Sequence, residues 1–334
     1  MGNLKRLVAV LVAGGLLLGV GCSSSGGGGA GGGALIESAV LLDWTPNTNH
    51  TGLYVALDQG WYEEEGLQME IISPSESGAV QLVASGSADF GVSYQEEVTL
   101  ARAAGIPVVS IAAVLQENTS AFASKKESNI TRPRDFEGKR YGGWGSPIEE
   151  AVIRTMMEKD GGDFSKVEFI NIGAADFFTS LERLVDFTWI YQGWDGVQAD
   201  LMGIPLNRVI LREFDEALDY YTPVLIVNEK SLSEQPDKVR AFLKATARGY
   251  EFAAEYPAEA AEILLKYAPE LDRELVPASQ EWLKDKIVDE KGHFGEQQAL
   301  VWERYSQWLY ENGQIEAMIE TEQAFTNDFL PGNH

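Results

Sequence analysis

SAVLLDWTPNTNHTGLYVALDQG, residues 38–60, holds one complete strand–loop–helix unit. Residues 39–42 are a short apolar run that breaks at once into polar and turn-forming residues, the pattern of a strand buried in a sheet. From residue 53 to 58 the apolar positions return at helical spacing. Gly60 then stands where a helix C-terminus favours glycine. Strand, polar loop and helix in that order form the repeating unit of α/β folds.

The same alternation runs outward from this unit. Residues 69–72, 90–92 and 108–114 read as strands, and residues 79–84 as a short helix ending near Gly86. A second set begins after Asn129. Strands are expected at 139–141 and 167–170, a helix over 147–159 with Pro147 in its first turn, and further strands at 187–190, 209–211 and 224–227. After Asn228 the pattern turns helical. Over 236–253, Val239, Phe242, Leu243, Thr246, Tyr250 and Ala253 fall on one face, and helices follow at 258–266, 277–286 and 298–312. Trp302, Tyr305, Trp308 and Leu309 share a spacing that core packing already explains. One α/β unit, a second unit and a helical return predict two lobes joined by crossovers near 116–124 and 221–226. The expected division is residues 35–120 plus 226–334 for lobe 1 and 121–225 for lobe 2.

The chain begins with Lys5 and Arg6, an apolar run over 7–20, and Gly21-Cys22, its one cysteine. That order is the layout of a bacterial lipoprotein signal peptide over 1–22, cleaved before a lipidated Cys22; the run is too short to span a bilayer. Residues 23–34, rich in glycine and serine, read as a flexible tether. The expected location is therefore extracytoplasmic, held to the membrane by lipid. The remaining body has no cysteine and so no disulfide. Its formal charge, −25 for the whole chain, disfavours nucleic acid and anionic lipid as partners.

Four segments differ from core. Residues 42–52 follow a strand and precede a helix, and in open α/β sheets ligands bind beyond the carboxyl ends of strands. Trp44 offers a flat face there, and Asn47 and His50 offer neutral donors and acceptors; a loop closed by Pro46 with a packed Trp44 is the competing reading. Residues 91–97 again run from strand to helix and present Tyr94, Gln95 and Glu96, although acids in a first helical turn also complement the helix dipole. Residues 141–147 form a glycine-rich turn with Trp144 and Ser146 that lacks the spacing of nucleotide motifs. Residues 186–196 carry Trp189, Tyr191 and Asp195; alternation turns the two rings to one face, which a packed core strand would also explain. No lysine or arginine occurs in 42–52, 91–100, 142–152 or 187–197. Anionic ligands are met by cations or dense N–H nests. Aromatics with amides and carboxylates suit a neutral or protonatable flat heterocycle instead. Catalysis finds little support. His50, His293 and His334 form no triad pattern, zinc-type ligand spacing is absent, and no cofactor is expected.

Residues 42–50, the stretch Gln59-Gly60-Trp61-Tyr62 with Glu64-Glu65-Gly66-Leu67, and residues 84–91 resemble the solute-binding proteins of ABC importers. Within these, they are most similar to the branch that holds thiamine-precursor pyrimidine binders and the eukaryotic thiamine-pyrimidine synthase; residues 223–227 and 244–254 continue the likeness. The resemblance implies a two-lobed periplasmic-binding-protein-like (type II) α/β fold, a ligand cleft between the lobes, and a monomer that delivers its ligand to a membrane permease. It also implies a pyrimidine such as hydroxymethyl- or formylaminomethyl-pyrimidine, with Trp44, Asn47, His50 and Tyr94 facing the cleft from one lobe and Trp144, Trp189 and Asp195 from the other. Pyrimidine binders usually place a glutamate near Asp195. The synthase carries a cysteine cluster near its second crossover, where this chain has Asp219-Tyr220-Tyr221-Thr222-Pro223, so synthase activity is not expected. Riboflavin or another flat heterocycle is the alternative ligand.

Overall fold

The computed structural model describes residues 34–74, 78–173 and 175–332. The expected leader, Cys22, His334 and all but the last residue of the tether lie outside them. Two five-stranded mixed sheets organise the body from Leu35 onward. The first contains β1 (Ile36–Leu41), β2 (Leu67–Ile72), β3 (Phe90–Ser93) and β4 (Val108–Ala113). The second contains β5 (Ser120–Lys125), β6 (Arg140–Gly143), β7 (Glu168–Asn171), β8 (Phe187–Tyr191) and β9 (Leu206–Ile210); β10 (Val224–Asn228) returns to the first.

Both sheets follow one plan. The first has the order β2-β1-β3-β10-β4 and the second β7-β6-β8-β5-β9. In the first, β1 pairs parallel with β2 and β3, and β10 is inserted antiparallel between β3 and β4. In the second, β6 pairs parallel with β7 and β8, and β5 is inserted antiparallel between β8 and β9. Each inserted strand is the first one the chain makes after crossing between lobes. This is the two-lobed, periplasmic-binding-protein-like α/β fold.

The strands are where the apolar runs placed them, apart from β5. Ser-Ala-Phe-Ala-Ser-Lys was expected to be part of a crossover, yet it is a central strand with both neighbours paired and Ser120 to Ser124 all buried. Its small side chains weaken the apolar signal while letting other elements pack closely on both faces. Sheet membership changes between Ala113 and Ser120 and between Ile210 and Val224.

Helices cover the sheets and build separate cores. Proline stands in the first turn of the Pro147–Lys159, Pro236–Glu255 and Pro257–Tyr267 helices, where its missing N–H costs nothing. Thr51–Asp58 crosses Pro236–Glu255 at a glycine pair: a Cβ on Gly249 would run into the Gly52 carbonyl oxygen, and one on Gly52 into the Tyr250 ring. Phe242 stacks on Phe90 at 3.8 Å in the same core.

The Ala299–Glu311 helix divides its apolar face between lobes. Trp302 packs with Val98, Tyr221 and Ile226 of the first lobe. Tyr305, Trp308 and Leu309 join the core that holds Phe122, Phe136 and Phe187 of the second. This helix, expected within lobe 1, therefore contributes to both cores, while Val239, Phe242, Leu264 and Leu283 of the other tail helices pack on the first. No helix among the described residues is long and apolar enough to cross a membrane.

Candidate functional site

The shared sheet plan places equivalent residues opposite each other. Beyond β1 comes Trp44, and beyond its counterpart β6 comes Trp144. Beyond β3 comes Tyr94, and its counterpart β8 ends on Tyr191. These loops lie at the carboxyl ends of parallel strands, the usual ligand position in open α/β sheets. Trp44 is 56% exposed, Trp144 49% and Tyr191 36%, so each presents ring surface to solvent at its strand end. Trp144 meets Trp189 edge to face at 5.5 Å. The Trp189 indole is buried and its Nε1–H has no partner.

Carboxyl groups from both lobes act on one of these rings, Tyr191. Asp43, directly after β1, accepts a hydrogen bond from His50 Nε2 at 2.7 Å and another from the Tyr94 hydroxyl. His50 Nδ1 accepts the Asn47 N–H at 3.2 Å, which puts the ring hydrogen on Nε2. Burial alone would raise the Asp43 carboxyl. The hydrogen bonds from His50 and from the Tyr94 hydroxyl reverse that and hold it below its ordinary value. Glu96 has no such donor set. Burial, then the charges of Glu97 and Glu149, push it up to about 7, against a lowering contribution from the Tyr305 hydroxyl. Enclosure of the carboxyl also raises Asp195, and it raises Glu97 against a hydrogen bond from the Ser93 hydroxyl at 2.6 Å, although Glu97 as a whole is exposed.

Carboxyl groups of both lobes act on the Tyr191 phenol. It is raised by burial and then by Glu96 and Asp43 of the first lobe and Asp195 of its own, while a hydrogen bond with Thr222 opposes the shift. Tyr94 in turn responds to Asp43 and Tyr191. No lysine or arginine is among the main influences on Asp43, Tyr94, Glu96, Glu97, Tyr191 or Asp195. A depression of about 510 Å³ does hold Lys159, Arg212 and Arg304, but these pair with Asp215, Glu117 and Glu216 at 2.7, 2.9 and 3.3 Å.

The remaining residues singled out in the sequence have local duties. Asn47 caps the Thr48–His50 turn, its side chain accepting the Asn49 N–H at 2.9 Å. His50 has no exposed surface. Gln95 is equally buried, accepting the Tyr221 N–H at 2.8 Å and donating to Val301 O at 3.3 Å, so it braces the second crossover. Ser146 caps the Pro147–Lys159 helix. Asp195 lies in a π-turn over Gln192–Gly196 and accepts the Tyr191 N–H at 3.0 Å.

Sequence reasoning passed over Asp43, Glu97, Glu149, Tyr220 and Tyr305 as site residues. Tyr305 stacks on Tyr220 at 4.1 Å and its hydroxyl lies by Glu96, although its helical spacing marked it only as core. Nor did it identify Ser279 of the Leu275–Ile287 helix, which is fully buried, pairs with Thr48 Oγ1 at 2.6 Å and donates to the Gly193 carbonyl of the other lobe. A Cβ on Gly193 would come within 2.8 Å of Leu283, so glycine permits this interlobe contact. No group of three or more metal-ligating side chains occurs among the described residues.

The model of the family described as NMT1/THI5 like matches residues 47–260. The chain belongs to the NMT1/THI5-like family. Among family relatives it is 32% identical over 305 residues to the formylaminopyrimidine-binding protein of Halalkalibacterium halodurans, covering 88% of this chain and 91% of the relative. It is 26% identical over 302 residues to the 4-amino-5-hydroxymethyl-2-methylpyrimidine phosphate synthase of Legionella pneumophila, covering 87% and 92%. The periplasmic aliphatic sulphonate binding protein SsuA from Escherichia coli shares the fold, with a TM-score of 0.67 at 13% identity over 86% of this chain and 91% of that one.

Proposed function

We propose that this protein is the extracytoplasmic binding component of an ABC importer, a clamp for a thiamine-precursor pyrimidine such as formylaminomethyl- or hydroxymethyl-pyrimidine. The observations that carry the reading are the exposed rings of Trp44, Trp144 and Tyr191 at the strand ends of the two lobes, and the action on Tyr191 of carboxyl groups from both lobes with no lysine or arginine among its main electrostatic influences. Aromatic faces stack on a flat ring, and carboxyl groups accept from ring amino groups. Trp44, Trp144, Trp189 and Tyr191 would hold the ring, with Tyr94, Glu96 and Asp195 addressing its polar edge. His50, Asn47, Gln95 and Ser146 would position these groups. Similarity to a formylaminopyrimidine-binding protein supports the same ligand class.

In this reading Cys22 carries the lipid, residues 23–34 tether a monomer, and a membrane permease receives the ligand. The chain binds rather than synthesises: its one cysteine is Cys22, and the stretch at residues 219–223 contains none. Titration of the apo protein with formylaminomethyl-pyrimidine, followed by tryptophan fluorescence and calorimetry, tests the proposal. Saturable quenching is expected. Binding of taurine or nitrate with none of either pyrimidine would refute it, and a yellow ligand that co-purifies would move the assignment to riboflavin.

A further inference from the structure

Glu149 occupies the third position of the Pro147–Lys159 helix and is 2% exposed. Its Oε1 accepts the Tyr141 hydroxyl at 2.5 Å and the Trp144 N–H at 3.2 Å; its Oε2 accepts the Gly145 and Ser146 N–H groups at 2.8 Å each. A capping glutamate ordinarily reaches back to one backbone N–H. Here three N–H groups and a phenol converge on two oxygens, the coordination a bound oxyanion receives. The cradle is shaped around that carboxylate, since a Cβ on Gly143 would run into Oε1.

Two further facts connect the cradle to the cleft. Its loop carries Trp144, half exposed and edge to face with Trp189. The charge on Glu149 also acts on Glu96 of the opposite lobe. We propose that Glu149 is a specificity-determining residue: a built-in anion that fills the N–H cradle, so that the clamp refuses sulfonates, sulfate and other anionic guests. It acts twice, by occupying the donors and by adding negative charge to a cleft that already holds Asp43, Glu96, Glu97 and Asp195. The inference rests on the cleft being a ligand clamp, but not on the guest being a pyrimidine.

The test titrates the full chain and its Glu149→Gln, Glu149→Ala and Glu149→Asp variants with sulfate and methanesulfonate at constant ionic strength, read by tryptophan fluorescence and calorimetry. The native protein and Glu149→Asp, which keep the charge, are expected to show no saturable response. Glu149→Ala, which vacates the cradle and removes the charge, is expected to bind sulfate at least tenfold more tightly than the native chain. Glu149→Gln, which removes the charge but still fills the cradle, is expected to stay unresponsive. Should Glu149→Ala fail to fold in chloride, sulfate is expected to restore folding beyond any effect on the native chain. Sulfate binding by the native protein or by Glu149→Gln equal to that of Glu149→Ala, no response from folded Glu149→Ala, or no rescue of the unfolded variant overturns the inference. Formylaminomethyl-pyrimidine run in parallel on the native chain separates failure of the ligand assignment from failure of this one.

Discussion

Replacing Glu96 by glutamine removes one carboxyl group whose burial is costly when charged. The group moves from 4.5 to about 7 in the folded chain, through burial first and then Glu97 and Glu149. At about 1.4 kcal/mol per pH unit, ionising it in place costs roughly 3 kcal/mol. The sign follows from proton binding. Between 4.5 and about 7 the folded state keeps a proton that the unfolded chain has released, so stability falls as pH rises through that window and levels off above it. Glutamine resembles the protonated acid and carries no such penalty. Glu96→Gln should therefore stabilise the protein more at pH 8 than at pH 5, by roughly 2.5 kcal/mol once partial ionisation of the unfolded chain at pH 5 is counted. Urea denaturation of both proteins at the two pH values measures the difference. An equal gain at pH 5 and pH 8 would refute the reasoning, because only the charged form is meant to be penalised.

His50→Ala leaves the Asp43 carboxylate buried without its main donor and should cost about 3 kcal/mol or more at pH 7. Because Asp43 is held low, its contribution is present above its unfolded value and is lost as pH falls through its folded value, so the cost should shrink in acid denaturation curves. Gly249→Ala forces a methyl group against the Gly52 carbonyl oxygen and should cost about 3 kcal/mol, the upper end for overpacking, in chemical denaturation. Trp144→Ala loses its edge-to-face contact with Trp189 and should cost about 1 kcal/mol of stability while weakening pyrimidine binding at least tenfold, as read by calorimetry.

Much of the fold was legible because buried parallel strands read as continuous apolar runs. The helix expected over 147–159 agrees with the structure at both ends, since a serine cap and a first-turn proline mark its start. β5 escaped because its small residues do not look like a strand until its neighbours are known. The site divided in the same way. Trp44 and Tyr191 were visible as aromatics just past strands. Asp43 was not, because its meaning depends on Tyr94, which the sheet brings to it from a different strand–helix unit. Glu149 was not singled out, because nothing in the sequence shows that three of its four bonds exceed what a cap requires.

The helix with Trp302 rooted in one lobe and Tyr305 and Trp308 in the other gives the molecule a third strap besides its two chain crossings. Three straps resist torsion far better than two. Shear and twist would tear indole rings from their sockets, whereas a simple swing about a line near that helix leaves them seated. Any change in the angle between the two sheets must therefore either pivot close to this helix or pull its rings out of one of the two cores.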